Sequence, residues 1–216
     1  MLAQPLLLSF GIAALATLIA AVLGIAIGAW LARARFAGRD FLDVVVTVPM
    51  VLPPTVLGYY LLVVVGRNSV IGRVWEAVFG STIVFTRTGA VLAATVGALP
   101  IVIKSGRAAL EGVDPTLVYA ARTLGASRVR AFFSVELPLA ARGIVAALML
   151  AFARSLGDFG VTLMLAGDIP GETQTASLAI YDAIQGHRNA DALSLAVILS
   201  AVAISLLYGG NKLSAR

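Results

Sequence analysis

Apolar side chains in this 216-residue chain fall into long unbroken blocks, not into the one-sided stripes of a surface helix. No charged residue stands between Met1 and Ala32, and Leu6 to Leu31 is a run of 26 residues. As a helix that run is roughly 39 Å long, more than the ~30 Å hydrocarbon core, so it predicts a tilted transmembrane span. A cleaved signal peptide is disfavoured, because it expects a basic start and an apolar run of only about 7 to 15 residues.

Four further apolar regions follow. The second, about 44–65, contains VPMVLPPTVLGYYLLVVV. Pro49, Pro53 and Pro54 cannot share one smooth helix, since each lacks an N–H and crowds the carbonyl four residues back. Such a break is tolerated in lipid only where protein or a water-filled path satisfies the freed groups. A packing kink and a broken helix lining a path therefore both stand, with Pro53, Pro54 and Thr55 at the break. The third span is expected at about 83–103, with Arg87 snorkelling to the interface. The fourth region, 137–167, is too long for one span and too short for two. It predicts a helix to about Ser155, a bend at SLGDFG and a shorter limb. The last span, about 193–208, precedes GGNKLSAR, whose glycines read as a helix stop.

Five spans put the termini on opposite sides, and the basic residues choose between the two orientations. With the N-terminus outside, the cytoplasmic side carries Arg33, Arg35, Arg39, Lys104, Arg107, Arg122, Arg128, Arg130, Lys212 and Arg216. The opposite side carries Arg67, Arg73, Arg87 and Arg188. Ten against four sets the N-terminus outside and the C-terminus in the cytoplasm. No internal repeat or linker appears, so 1–216 reads as a single all-α polytopic membrane domain.

Composition agrees: mean hydropathy is +0.97 and only 12% of residues are charged. A net charge of +5 does not indicate nucleic-acid binding, because the arginines flank apolar runs instead of sharing one soluble face. With no cysteine there is neither a disulfide nor a thiolate metal site, and His187 stands alone in QGHRNAD. No GxxxxGK[ST] phosphate loop is present, so any nucleotide chemistry would belong to another chain.

The basic segment 114–134 breaks the apolar pattern. Asp114-Pro115 predicts a helix start, Gly125 a left-handed stop, and Ser127 the cap of a second short helix through Phe133. Two short helices of mixed apolar and basic character form a knob. On spacing alone, a membrane-surface loop held by anionic lipid is an equal reading.

The residues YAARTLGASRVRAFFSVELP, 119–138, resemble the coupling motif of ABC-importer permeases: Glu-Ala-Ala, three residues, Gly, nine residues, Ile-x-Leu-Pro. Ala120 and Ala121 match the alanines, Gly125 the glycine, Val135 the isoleucine and Leu137-Pro138 the exit, with every interval kept. Ala126 continues the ARTLGAS element; Tyr119 departs from the pattern, standing where glutamate is usual. Over nearly the whole chain the likeness narrows to molybdate and tungstate permeases, through TVPMVLPPTVLGYYLLVVVGRNSVIG, ALEGVDPTLVYAARTLGA and AFARSLGDFGVTLMLAGDIPGETQT. Sulfate/thiosulfate permeases share several of these elements, and the PGETQT loop favours molybdate.

The resemblance implies a permease homodimer, a cytoplasmic ABC ATPase dimer that holds ATP and magnesium, and an extracytoplasmic molybdate-binding protein. It implies a non-catalytic subunit in a bacterial inner membrane with no cofactor of its own, whose knob passes nucleotide-driven closure to the spans. A secondary anion transporter is the reading from another class; inverted repeats would favour it, and none is found.

Two features remain open at this level. Arg154 and Asp158 are four residues apart in FARSLGDFG and neutralise each other if helical. They read equally as an internal staple and as a gate near the anion path, with Ser155 and Gly157 adding polar lining. Gly24 and Gly28 form a GxxxG, serving equally an intrachain contact or a dimer seam. In the outer loop AGDIPGET, Asp168 and Glu172 are candidates for touching a binding protein, with a solvated loop the simpler alternative.

Overall fold

Small side chains set the architecture. The computed structural model describes residues 3–34 and 36–214. Arg35 and Arg216, counted above on the cytoplasmic side, lie outside the described residues. Helix α1 (Ala3–Arg33) lies along α5 (Arg87–Glu111), with α8 (Leu137–Leu156) on both. Buried contacts come in layers: Ile12 and Ala16 with Ala90 and Ala94, Ala20 with Ala98, Val102 and Ala151, then Ala29 with Leu110, Ala140 and Ile144. The order of the layers makes α1 and α5 parallel and α8 antiparallel to both. Alanine at so many of these positions lets backbones approach, the usual source of helix association in lipid, where apolarity alone offers no drive.

Gly24 and Gly28 belong to this contact. A Cβ on Gly24 would lie 2.8 Å from the Val102 side chain, and one on Gly28 2.9 Å from the Ile103 carbonyl oxygen. The GxxxG is thus an intrachain seam. Gly28→Leu should destabilise the folded permease by about 1–3 kcal/mol, as overpacking does, seen as a lower unfolding temperature in detergent. An unchanged temperature would mean α1 and α5 do not meet so closely.

The second apolar region is two helices, α2 (Arg39–Val51) and α3 (Pro54–Val65), meeting at a 112° bend. Pro49 is accommodated inside α2; the chain breaks at Leu52-Pro53, and Pro54 takes the first turn of α3, where a missing N–H costs nothing. Asp43 of α2 pairs with Lys104 and Arg107 near the end of α5, whereas Val65 of α3 packs with Ile83 and Val84 just before its start. The two ends of the bent pair therefore sit at opposite ends of α5, and the pair crosses.

Helix α4 (Val70–Phe79) follows, capped by Ser69 and held by Arg67–Glu76 at 2.9 Å. The span expected at 83–103 begins instead at Arg87 under a Thr86 cap, and it runs on to Glu111. Lys104, Arg107 and Glu111 do not end it, because Asp43 and Arg39 of α2 neutralise them. The 112–136 segment then leads to α8, and a short limb α9 (Gly160–Ala166) completes that crossing as Leu165 accepts a hydrogen bond from the Phe85 N–H.

Helix α10 (Ala176–Gln185) precedes α11 (Asn189–Ser214). The expected stop at Gly209-Gly210 is absent. The helix passes through them because they face Met149 and Ala146 of α8, where a Cβ on Gly210 would stand 3.6 Å from the methionine sulfur. Tyr181 of α10, shortly before α11, lies 5.2 Å from Phe159 just past the end of α8, while Gly210 lies at the level of Ala146, so α11 is antiparallel to α8. Four helices are long and apolar enough to span and the bent pair makes up to a fifth, with the described ends at opposite ends of the bundle.

Candidate functional site

Segment 114–136 stands at the same end of the bundle as Arg33 and Glu111. Its first helix, α6 (Pro115–Thr123), starts where the Asp114 carboxylate accepts from the Thr116 N–H at 2.9 Å. That bond holds the exposed Asp114 carboxyl below the usual carboxylate range. Leu124 closes α6 and Gly125 turns the chain at φ +91°, with no atom within 4 Å of where a Cβ would sit. Left-handed geometry, not crowding, is what requires glycine here. The Ser127 hydroxyl then accepts from the Arg130 N–H and opens α7 (Arg128–Ala131).

The second short helix expected through Phe133 is not separate. A π-helical turn, Phe132–Glu136, carries α7 straight into α8. The knob is thus a side loop, α6 and its left-handed turn, on the foot of a helix that crosses the membrane.

Tyr119 is 63% exposed and Leu124 89%, and with Val129 and Phe133 they make an apolar outer surface. Ala120 and Thr123 face outward and Ala121 and Ala126 are half-buried. Val135 and Leu137 are half-buried at the foot of α8, and Pro138 is exposed there. Tyr119 also lines a cleft of about 490 Å³ with Arg33, Arg122, Arg128 and Glu136.

The residue that pattern reading missed is Glu136. Its buried carboxylate pairs with Arg33, the last residue of α1, and the Arg33 guanidinium lies 5.0 Å over the Phe132 ring. This ties the knob to α1 across 103 positions of sequence. The signal was present: Glu136 is the only acidic residue between Asp114 and Asp158, and Arg33 is the first charge in the chain.

The second candidate locus lies deeper. At the α8–α9 break, Arg154 pairs with Asp158 at 3.0 Å. The other Asp158 oxygen accepts from the Thr162 N–H at 3.0 Å and its hydroxyl at 2.7 Å, so one buried carboxylate neutralises α8 and caps α9. Gly157 is exposed at the bend. The α2–α3 break meets this one, because a Cβ on Gly160 would lie 2.7 Å from the Pro54 Cβ and 3.6 Å from the Thr55 nitrogen. Gly58 makes the same close approach to Met164. Pro53, Pro54 and Thr55 are exposed around that contact.

Ser155 differs from its expected lining position. It is buried against α5, its hydroxyl 3.5 Å from the Ala94 carbonyl, because it projects from α8 on the face that packs on α5. In the opposite loop, Asp168 is half-buried with one oxygen lacking a partner among the described residues, and burial pushes its carboxyl up. Glu172 is the exposed acid there, 3.8 Å from Arg87.

Residues 24–210 match the family described as binding-protein-dependent transport system inner membrane component. The chain belongs to this family. It is a multi-pass inner-membrane permease. The molybdenum transport system permease protein ModB of Escherichia coli (strain K12) is 46% identical to it over 206 residues, covering 94% of this chain and 90% of that one. The ModB of Haemophilus influenzae is 45% identical, over 82% of this permease and 80% of its own length. The sulfate transport system permease protein CysT of Escherichia coli (strain K12) is 35% identical, over 87% and 68%. Among solved structures, the inward-facing MetNI methionine ABC transporter superposes with a TM-score of 0.75 at 18% identity, covering 100% of the permease and 95% of that chain. A bacterial alginate ABC transporter gives 0.75 at 16%. At those identities the likeness concerns the fold.

Proposed function

We propose that this permease is the membrane subunit of an ATP-driven importer of molybdate or tungstate. The observation that carries the reading is 46% identity to a molybdenum permease across nearly its full length. Tetrahedral dianions are also what a sulfate permease handles, and the 35% identity to one keeps sulfate as the second reading. Labelled molybdate uptake, with the cognate binding protein and ATPase present, separates them. Tungstate should compete at equimolar concentration and sulfate should need a large excess. Equal competition by sulfate would assign the permease to that anion instead.

In this reading two copies enclose the path, and ATP with magnesium is held by a separate pair of motor subunits. The knob, with Tyr119, Ala120, Ala121, Gly125, Ala126, Val135, Leu137 and Pro138, is the handle those motors grip. Its exposed Tyr119, Leu124 and Val129 are large apolar groups at a membrane–water boundary, which a protein groove would cover. Tyr119 supplies contact area where a glutamate would supply charge.

The path is proposed to pass the paired breaks, along Pro53, Pro54, Thr55, Gly157 and Arg154. A site there must be weak enough to release the anion, so tight recognition belongs to the external receptor. Cysteine at Thr55 should react with a water-soluble thiol reagent in at least one nucleotide state of the assembled transporter. Protection in every state would remove the bend from the path.

The knob end is proposed to face the cytoplasm, as the excess of basic residues there requires. Single cysteines at Ala37 and Glu172, both exposed, should label from opposite sides of the membrane, Ala37 from the cytoplasmic one. Labelling of both from one side would refute the five-crossing topology.

A further inference from the structure

A groove of about 830 Å³ lies away from the paired breaks and shares only Arg33 and Arg128 with the knob's cleft. It runs down the outside of α1 and is closed on its other side by the π-helical turn and the foot of α8. Ala21, Ala26 and Ala29 make its floor, and Val22, Trp30 and Phe133 stand up as walls. Among the described residues its charged lining is Arg33 and Arg128, both at one end.

From Ala21 to Ala34 the groove follows roughly 20 Å of helix. One leaflet of the hydrocarbon core is half of ~30 Å deep. The apolar trough therefore matches one acyl chain in length, and its charged mouth falls at headgroup level. Trp30, half exposed one turn below Arg33, sits where indole rings anchor at that boundary.

Charge decides which lipid. Arg33 has one carboxylate partner, Glu136, and Arg128 has no ion pair among the described residues. Two guanidiniums against one carboxylate leave a net positive mouth above an apolar trough. A zwitterionic lipid brings its own cation to that mouth, whereas an anionic phosphodiester headgroup neutralises it. A soluble motor subunit reaches the mouth but not the trough beside Ala21, within the membrane. A second copy of the chain seated there would shield Trp30 from every lipid.

We infer that this groove is a binding site for one anionic phospholipid, its chain along α1 and its phosphate between Arg33 and Arg128. The occupant bridges α1 to the root of the knob and adds to the Arg33–Glu136 tie. This inference needs the membrane placement of α1 but not the identity of the transported anion.

The test uses the assembled transporter in vesicles, with Trp75→Phe leaving Trp30 as the permease's only tryptophan and tryptophan-free variants of its partner subunits. Phosphatidylglycerol brominated in its acyl chains should half-quench Trp30 at about fivefold lower mole fraction than brominated phosphatidylcholine, from the effect of one basic residue. Arg128→Gln, which leaves the Arg33–Glu136 pair intact, should remove most of that preference, and soluble glycerol phosphate should not compete. Equal quenching by the two lipids, or a preference that survives Arg128→Gln, would overturn the site. Absence of quenching by either lipid would show the groove covered by protein and overturn it too.

Discussion

Gly125→Val is expected to lower molybdate uptake about tenfold or more while leaving the permease in the membrane at near-normal amount. The turn at φ +91° costs an ordinary L-residue about 1–2 kcal/mol and a β-branched one more, and 1.4 kcal/mol is tenfold in population. Because nothing lies within 4 Å of the new Cβ, the loss cannot come from crowding inside the permease. It must come from the turn refusing to form, which displaces α6 from its place on α7. That separates two variants. Gly125→Asn, a residue that tolerates left-handed backbone, should retain most uptake, while Gly125→Val should not. ATP hydrolysis by the assembled complex should become insensitive to loaded receptor in the valine variant. Normal uptake by Gly125→Val would remove the knob from the coupling path.

The knob's local geometry was legible because its signals are local. Asp114, Ser127 and Gly125 each act within three residues of themselves, so sequence spacing is the whole of their physics. The bend at 157–159 was legible from SLGDFG and the Arg154–Asp158 pair from its spacing, but the Asp158 cap on Thr162 was not. What escaped was through-space. Lys104, Arg107 and Glu111 look like the solvated end of a span until Asp43 and Arg39 arrive from α2, more than sixty positions away. Gly209 and Gly210 have the same letters as a helix stop, and only the proximity of Met149 makes them a packing surface. Ser155 was assigned to the path for its hydroxyl, but the face it occupies on α8 is fixed by alanines on α5. Glu136 occupies the one position that the Ile-x-Leu-Pro exit leaves free, so its partner Arg33 is set by the fold alone.

Asp158→Asn should sharply lower the amount of folded permease, and the double variant with Arg154→Met should restore that amount without restoring uptake. Asparagine can still accept from the Thr162 N–H through its carbonyl, so the α9 cap survives and only the charge is lost. What remains is Arg154 without a counter-charge. An arginine at the centre of a span costs about 2.5 to 3.5 kcal/mol, and the 36% exposure of this side chain brings the cost below that range, to about 1.4 kcal/mol. A loss on the order of tenfold in membrane abundance follows. Replacing Arg154 as well removes the uncompensated cation and should return abundance to near wild type.

Uptake by the double variant then discriminates between a staple and a gate. If the ion pair only held α8 to α9, transport would recover with abundance. In the proposed path, the exposed part of the Arg154 guanidinium is the positive group a passing dianion meets beside Thr55 and Gly157, so uptake per folded molecule should stay several-fold low. Full recovery would confine Arg154 and Asp158 to a structural role; an undiminished amount of Asp158→Asn would mean that Arg154 is paid no attention by the lipid and finds enough water without its partner.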